Sequence, residues 1–188
     1  MDKKETRKFY KSLRDSIPEN ERIALSKSIT DLIIESDFYA FADKLLVFIP
    51  IGSEVNTLPL ISGAFNDGKT VAIPVIDGKE MHFAVINSLD ELVPGEYDIP
   101  TAPKGAKFIE NFENSLCIVP CLSCDKSLNR IGYGGGFYDR FLAALTEVKT
   151  ICVCFDKCLS NSLPTEEFDI KMNLCITDKK SLGGVLDV

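Results

Sequence analysis

The strongest constraint on the fold is a set of short apolar runs separated by stretches of helical length. LLVFIP (45–50), TVAIPVI (70–76), SLCIVP (115–120) and TICVCF (150–155) are bounded by glycine, proline or polar residues. Runs of this length without alternation suit strands covered on both faces. Between the first two, the loop IGSEVNT leads into a predicted helix that runs to about Phe65 and ends at Asn66–Gly68, with Asn56 or Thr57 as its cap. That is a βαβ unit. EMHFAVI (80–86) alternates as a half-exposed strand should, with Met81, Phe83 and Val85 on one side, and pairs with its neighbour across Asp77 and Gly78. NLCIT (173–177) adds a further strand. Strands alternating with helices predict an α/β chain: a mostly parallel central sheet with helices on both faces, a Rossmann-like three-layer sandwich.

Before the sheet come two predicted helices within residues 3–36. The first, from Lys3 to about Arg14, has a basic face, and by spacing alone that face is a solvated surface. The second begins with Pro18 as its first residue, carries Glu19 and Glu21 in its first turn, and buries Leu25, Ile29, Leu32 and Ile33. Residues 88–114, rich in proline and glycine, read as a surface excursion with a turn of helix at LDELV. One domain over 1–188, with an α/β core over 44–188, suits 188 residues that are 45% hydrophobic.

The net charge of −7 and the lack of any basic block argue against general attraction to nucleic acid or anionic lipid. No apolar run approaches the roughly 18 residues of a membrane span, and MDKKETRKFYK has no signal core, so a cytoplasmic protein is expected. Seven cysteines are an odd number for a disulfide framework. Cys152 and Cys154 share one strand face and read as small buried hydrophobes. Cys121 and Cys124 have CxxC spacing, which Cys158 and Cys175 would complete into a zinc tetrad, but no second CxxC supports it. The single histidine, His82, reads as a surface or lip residue.

In a doubly wound sheet, ligands bind beyond the carboxyl ends of strands. Two loops answer that description, one after LLVFIP containing Glu54 and one after SLCIVP containing the run NRIGYGGGFYDR (129–140). Gly132, Gly134, Gly135 and Gly136 allow close backbone approach to a ligand and open a helix, whose free N–H groups and the neighbouring Arg130 suit phosphate. The spacing is neither a Walker loop nor a dinucleotide fingerprint, and on spacing alone a plain tight turn remains open. Phe137, Phe141, Leu142 and Leu145 mark the apolar arc of that helix. Asp139 lies outside the arc, either complementing the helix dipole or, beside a polyphosphate, holding Mg²⁺.

NRIGYGGGFYDRFL, with VPCLSCDKSL before it, closely resembles the signature of the 5-formyltetrahydrofolate cyclo-ligase family. KKETR resembles the family's Lys-x-x-x-Arg segment, SEVNT its Glu-Val-Asp-Thr loop and LPTEEFD its late acidic segment, so the likeness covers nearly the whole chain. The resemblance implies an ATP- and Mg²⁺-dependent ligase that converts 5-formyltetrahydrofolate, polyglutamylated or not, into 5,10-methenyltetrahydrofolate, ADP and phosphate through an N5 iminium phosphate. By the same resemblance Lys3, Lys4 and Arg7 contact ATP, and Arg130, Ile131, Gly132, Tyr133, Gly134, Gly135, Gly136, Phe137 and Tyr138 wrap its phosphates. Asp139 and Asp169 hold the metal. Ile49 and Glu54 face the folate, together with Tyr133, Phe137 and the three glycines between them. No catalytic nucleophile is implied, and the expected assembly is a monomer or weak dimer.

Three residues depart from the family pattern: Asn56 for aspartate, Cys124 for phenylalanine and Phe137 for tyrosine. None removes a charged group from the expected phosphate or metal site, so they bear on pocket shape and affinity more than on reaction type. Two other readings are a non-catalytic relative binding nucleotide or RNA, and a different enzyme on the same scaffold, such as a sugar-phosphate isomerase.

Overall fold

The computed structural model describes residues 1–95, 99–145 and 147–183. Residues 96–98 of the predicted excursion and 184–188 of the predicted domain lie outside the described residues. Helices α1 (Lys3–Asp15), α2 (Glu19–Ile34) and α3 (Asp37–Phe41) precede the first strand. A capping box fixes the start of α1: Asp2 accepts from the Glu5 N–H, and Glu5 accepts from the Asp2 N–H. Pro18 is the residue before α2 rather than its first residue, because its ψ of 146° is extended and the helix begins at Glu19. Ile29 and Ile33 are buried as expected, whereas Leu25 and Leu32 are only half-buried against the core.

Strand β1 (Lys44–Val47) lies between β2 (Thr70–Asp77) and β6 (Ser115–Pro120), parallel to both. Strand β3 (Glu80–Ile86) pairs antiparallel with β2, and α4 (Leu58–Asn66) makes the crossover from β1 to β2. Asn56, not Thr57, provides the side-chain cap of α4 by accepting from the Leu58 N–H at 3.1 Å. The Thr57 hydroxyl instead donates to the Phe48 carbonyl at 2.7 Å. Two short ribbons, β4 (Val93–Pro94) with β5 (Pro100–Thr101) and β7 (Ser123–Cys124) with β8 (Arg130–Ile131), lie outside the main sheet. After α5 (Phe137–Ala143), β9 (Lys149–Val153) and β10 (Leu174–Ile176) extend the parallel sheet, and β11 (Ser181–Gly183) closes it antiparallel. The seven-stranded order is β11-β10-β9-β6-β1-β2-β3. The predicted α/β architecture is what the chain adopts.

From β1 the chain winds toward β2, and from β6 it winds the opposite way toward β9. The sheet therefore has its switch point between β1 and β6, where a crevice opens beyond the strand ends. Beneath it, Leu45, Leu46, Leu116, Ile118 and Ile151 are fully buried, as the apolar runs require.

One expectation for the sheet needs correction. The strand β3 is not half-exposed: Ala84 and Ile86, on the face of His82, are buried. Residues 107–109 run along its free edge, with Val85 N–H donating to the Lys107 carbonyl and Ile109 N–H to that of Phe83, both at 2.8 Å. The edge is thereby covered. All seven cysteines are buried and free. Among the described residues, the sulfurs that gather are those of Cys124, Cys152 and Cys175, not the tetrad that the CxxC spacing suggested.

Candidate active site

The crevice at the switch point widens into a cavity of about 690 Å³. Its walls come from Phe48 and Ile49 after β1, the turn 51–54, β2 and β3, the glycine run, α1, and residues 166–170. Each wall residue is held by an identifiable local device.

On α1, Lys3, Arg7, Tyr10 and Arg14 fall along one stripe, the i, i+4, i+7, i+11 spacing of a helical face. Lys3 donates to both carboxylate oxygens of Asp169, at 2.7 and 2.6 Å, and to Glu166 at 3.0 Å. Burial alone would lower the Lys3 ammonium, but hydrogen bonds to Asp169 and Glu166 raise it overall. Asp169 is likewise pushed up by burial and then held below its ordinary value by Lys3 and the Glu166 N–H. Arg7 donates through Nε to the Gly132 carbonyl at 3.2 Å. Gly134, at φ +99°, passes so near that a Cβ there would lie 3.3 Å from the Arg7 guanidinium carbon. Only glycine serves at this position, for both reasons. Lys4 points away: it is exposed and takes no part in the cavity wall.

The glycine run hangs from the β7–β8 ribbon, whose turn is organised by Asp125. This carboxylate, 2% exposed, accepts from the backbone N–H groups of Ser127, Asn129 and Leu163 at 2.9 to 3.0 Å and from the Asn129 amide. It thus ties the ribbon to the segment that carries Glu166 and Asp169. Gly136 takes the left-handed conformation at φ +67° and starts α5. Among the described residues, no acceptor takes the N–H groups of Gly134, Gly135 or Gly136. Arg140 secures the run from behind, donating to the Gly135 carbonyl at 2.9 Å and to that of Lys79 at 3.1 and 3.3 Å.

Arg130 is 6% exposed and donates to Asp139 Oδ1 at 2.9 Å. The same oxygen accepts from the Ile170 N–H at 3.2 Å, so Asp139 joins α5 to the acidic segment. Both proposed metal carboxylates are therefore paired with cations. They differ in what remains free: among the described residues nothing binds Asp139 Oδ2, whereas both oxygens of Asp169 bind Lys3.

At the other end of the cavity, Arg14 donates to the Tyr133 hydroxyl at 2.5 Å, and Tyr133 donates to Glu54 Oε1. Glu54 Oε2 accepts from the Ile51 N–H at 2.8 Å, which folds the turn 51–54 around the carboxylate. Burial raises the Glu54 carboxyl above its ordinary value, more than the hydrogen bonds from Tyr133 and Ile51 lower it. The Tyr133 phenol is pushed up, by burial first and then by the Glu54 charge. Apolar side chains of Phe48, Ile49, Ile76 and Met81 line this end. The cavity is thus bipartite, with an apolar slot closed by one carboxylate and a charged wall built on the glycine run.

Except for Lys4, every candidate ATP-, folate- or metal-binding residue of the sequence analysis lines this one cavity. Sequence reasoning missed Arg14, Asp125 and the apolar residues of β2 and β3. Arg14 continues the Lys3–Arg7 stripe, so its signal was present.

Comparison with known proteins places the chain. It is 26% identical over 171 residues to 5-formyltetrahydrofolate cyclo-ligase of Mus musculus, covering 81% of this chain and 82% of the mouse protein. With the Escherichia coli protein of that name it shares 30% identity over 145 residues, 74% of this chain and 80% of the other. The fold matches the NMR structure of Aquifex aeolicus 5,10-methenyltetrahydrofolate synthetase at a TM-score of 0.86 and 24% identity, over 100% of this chain and 97% of that one. A Mycoplasma pneumoniae 5,10-methenyltetrahydrofolate synthetase gives 0.78 at 19% identity, over 95% of this chain and 99% of that one. Because the family profile of 5-formyltetrahydrofolate cyclo-ligase matches residues 1–178, the span that builds every wall of the cavity, the chain belongs to the 5-formyltetrahydrofolate cyclo-ligase family.

Proposed function

We propose that the chain converts 5-formyltetrahydrofolate into 5,10-methenyltetrahydrofolate at the expense of ATP, releasing ADP and phosphate through an N5 iminium phosphate. The observation that carries this reading is the bipartite cavity. A fused, flat heterocycle fits the apolar slot, where Glu54 accepts from its ring and amino N–H groups and Ile49 packs on its face. The phosphates lie along the opposite wall, against the free N–H groups of the glycine run and the charges of Lys3, Arg7 and Arg130.

Tyr133 and Phe137 stand between the two halves. They bring the formyl oxygen against the γ-phosphate. The oxygen attacks phosphorus and ADP departs; N10 then attacks the activated carbon and gives up its proton, and phosphate leaves with the former formyl oxygen. The chain needs no nucleophile of its own, since its residues orient the reactants and offset charge.

The donor set fits a divalent cation in part. Asp139 Oδ2 is free to bind one, while Asp169 joins only if Lys3 transfers to a phosphate oxygen. When bound, Mg²⁺ would supply charge neutralisation and a fixed phosphate geometry. Arg130 and the Ile170 N–H keep Asp139 in place for that contact.

Purified chain with 5-formyltetrahydrofolate, ATP and Mg²⁺ is expected to produce methenyl absorbance, and to lose it when any of the three is withheld. Formation of product without ATP, or no product with all three present, overturns the assignment. The reading also places the protein in the cytoplasm, where ATP and reduced thiols are available; among the described residues no helix is long and apolar enough to cross a membrane.

A further inference from the structure

The thiols of the core are arranged in a way that burial alone does not require. Cys152 on β9 and Cys175 on β10 are direct register partners on adjacent parallel strands, so their side chains leave the same face of the sheet. Cys124 reaches that face from the β7–β8 ribbon, and the three Sγ atoms all lie within 4.8 Å of one another. All three residues are fully buried, at 0% exposure. Small hydrophobes could fill this space, yet here three sulfurs converge on one point from three separate strands.

We propose that Cys124, Cys152 and Cys175 form a binding site for one thiophilic d¹⁰ metal ion of the Zn²⁺ or Cu⁺ class. Metal–sulfur bonds of about 2.3 Å put three coordinating sulfurs roughly 4 Å apart, so the cluster needs only a small contraction to close on an ion. Soft sulfur ligands, without carboxylate or imidazole among them, select this class over Mg²⁺ or Ca²⁺. Cys121 stays outside the cluster, its thiol donating to the Val153 carbonyl at 3.3 Å. Binding exchanges three thiol protons for the ion, with no change of oxidation state, so proton release accompanies it.

The site is distinct from the carboxylates of the cavity but is not remote from it. Cys124 is the register partner of Arg130 in the β7–β8 ribbon, so an ion held there would pin the ribbon that carries Arg130. Entry to a fully buried site requires that this ribbon open locally, or that the ion be present as the chain folds.

The test uses the full reduced chain in two preparations, one titrated after purification and one produced in metal-supplemented medium, with Cd²⁺ as the probe for zinc-like ions and Cu⁺ in a parallel arm. Retention of about one ion per chain is expected, with thiolate charge-transfer absorbance, proton release and a raised thermal midpoint; the arm that gives this identifies the ion. Cys175→Ala should abolish retention, while Cys158→Ala, a buried thiol outside the cluster, should keep it. If Cys175→Ala fails to fold, X-ray absorption on the loaded wild-type chain decides: three or four sulfur neighbours support the site. Oxygen or nitrogen neighbours, retention that survives Cys175→Ala, or no retention in either preparation overturns it.

Discussion

Tyr133→Phe tests the apolar end of the cavity with the removal of one oxygen. The phenol makes two hydrogen bonds to charged groups, one accepted from Arg14 at 2.5 Å and one donated to Glu54. Hydrogen bonds to charges contribute about 1.5–3 kcal/mol when buried. Tyr133 is 48% exposed, so solvent screening favours the lower bound, about 1.5 kcal/mol. That energy is about a tenfold preference for the ionised form of Glu54. The sign follows from the donor: Tyr133 stabilises the carboxylate, and without it a carboxyl already raised by burial rises further. If the ionised carboxylate accepts the folate's N–H groups, activity falls as pH drops through the Glu54 value. The acidic limb of kcat/KM for 5-formyltetrahydrofolate, followed by methenyl absorbance at saturating ATP, should therefore move to higher pH. At a pH on that limb the loss is about tenfold. The KM for ATP should hold, and the fold should survive because Arg14 keeps Ser53 at 3.0 Å. An unmoved acidic limb, or a defect confined to ATP, would refute the assignment of Glu54 and Tyr133 to the folate.

Arg130→Ala removes a guanidinium that is 6% exposed and leaves Asp139 without its cation; the KM for ATP should rise about tenfold or more in steady-state kinetics, on the same 1.5–3 kcal/mol scale. Lys3→Met should flatten thermal stability at both pH extremes. In the wild type, the contribution of Asp169, whose value is depressed, is present above 3.8 and lost as pH falls through the lower folded value. That of Lys3, whose value is raised, is present below 10.5 and lost as pH rises through the higher folded value. Melting curves across pH that keep both slopes in Lys3→Met would contradict the pairing. Asp125→Ala deprives three backbone N–H groups of their acceptor and should cost roughly 3 kcal/mol or more, read as a lower denaturant midpoint.

The central strands were legible because burial on both faces leaves no polar position in them, and continuous apolar runs have few other uses. The two loops that carry Glu54 and the glycine run followed from the rule that ligands bind beyond the carboxyl ends of strands, whereas the switch point between them needed the strand order of the folded sheet. What could not be read were pairings across long separations. Arg14 ends a helix whose basic face reads by spacing as a solvated surface until Tyr133, 119 residues away in sequence, is brought onto it. The edge of β3 looked open because the strand covering it, residues 107–109, has no periodicity of its own. Cys152 and Cys154 read correctly as buried, but the CxxC spacing grouped Cys121, Cys124, Cys158 and Cys175 and left out Cys152, whose approach to Cys175 depends on the register of β9 against β10. Spacing along one strand carries no information about register between two.

The charged wall raises a question of sign that the proposed chemistry answers. Lys3, Arg7, Arg130 and Arg140 line the cavity, but so do Glu54, Asp139, Glu166, Glu167 and Asp169, and the whole chain carries −7. Such a wall does not attract a polyphosphate by net charge; it recognises one by position. In the structure Lys3 and Arg130 are already spent on carboxylates, so an arriving phosphate must take over these cations or share them. Either exchange leaves Asp139 or Asp169 facing phosphate oxygens, a repulsion that grows as water is excluded. The arrangement favours a nucleotide that enters with its own divalent counter-ion over one that enters bare. By the same argument, high ionic strength should weaken ATP binding less than it would at a purely basic site, because attractive and repulsive pairs are screened together.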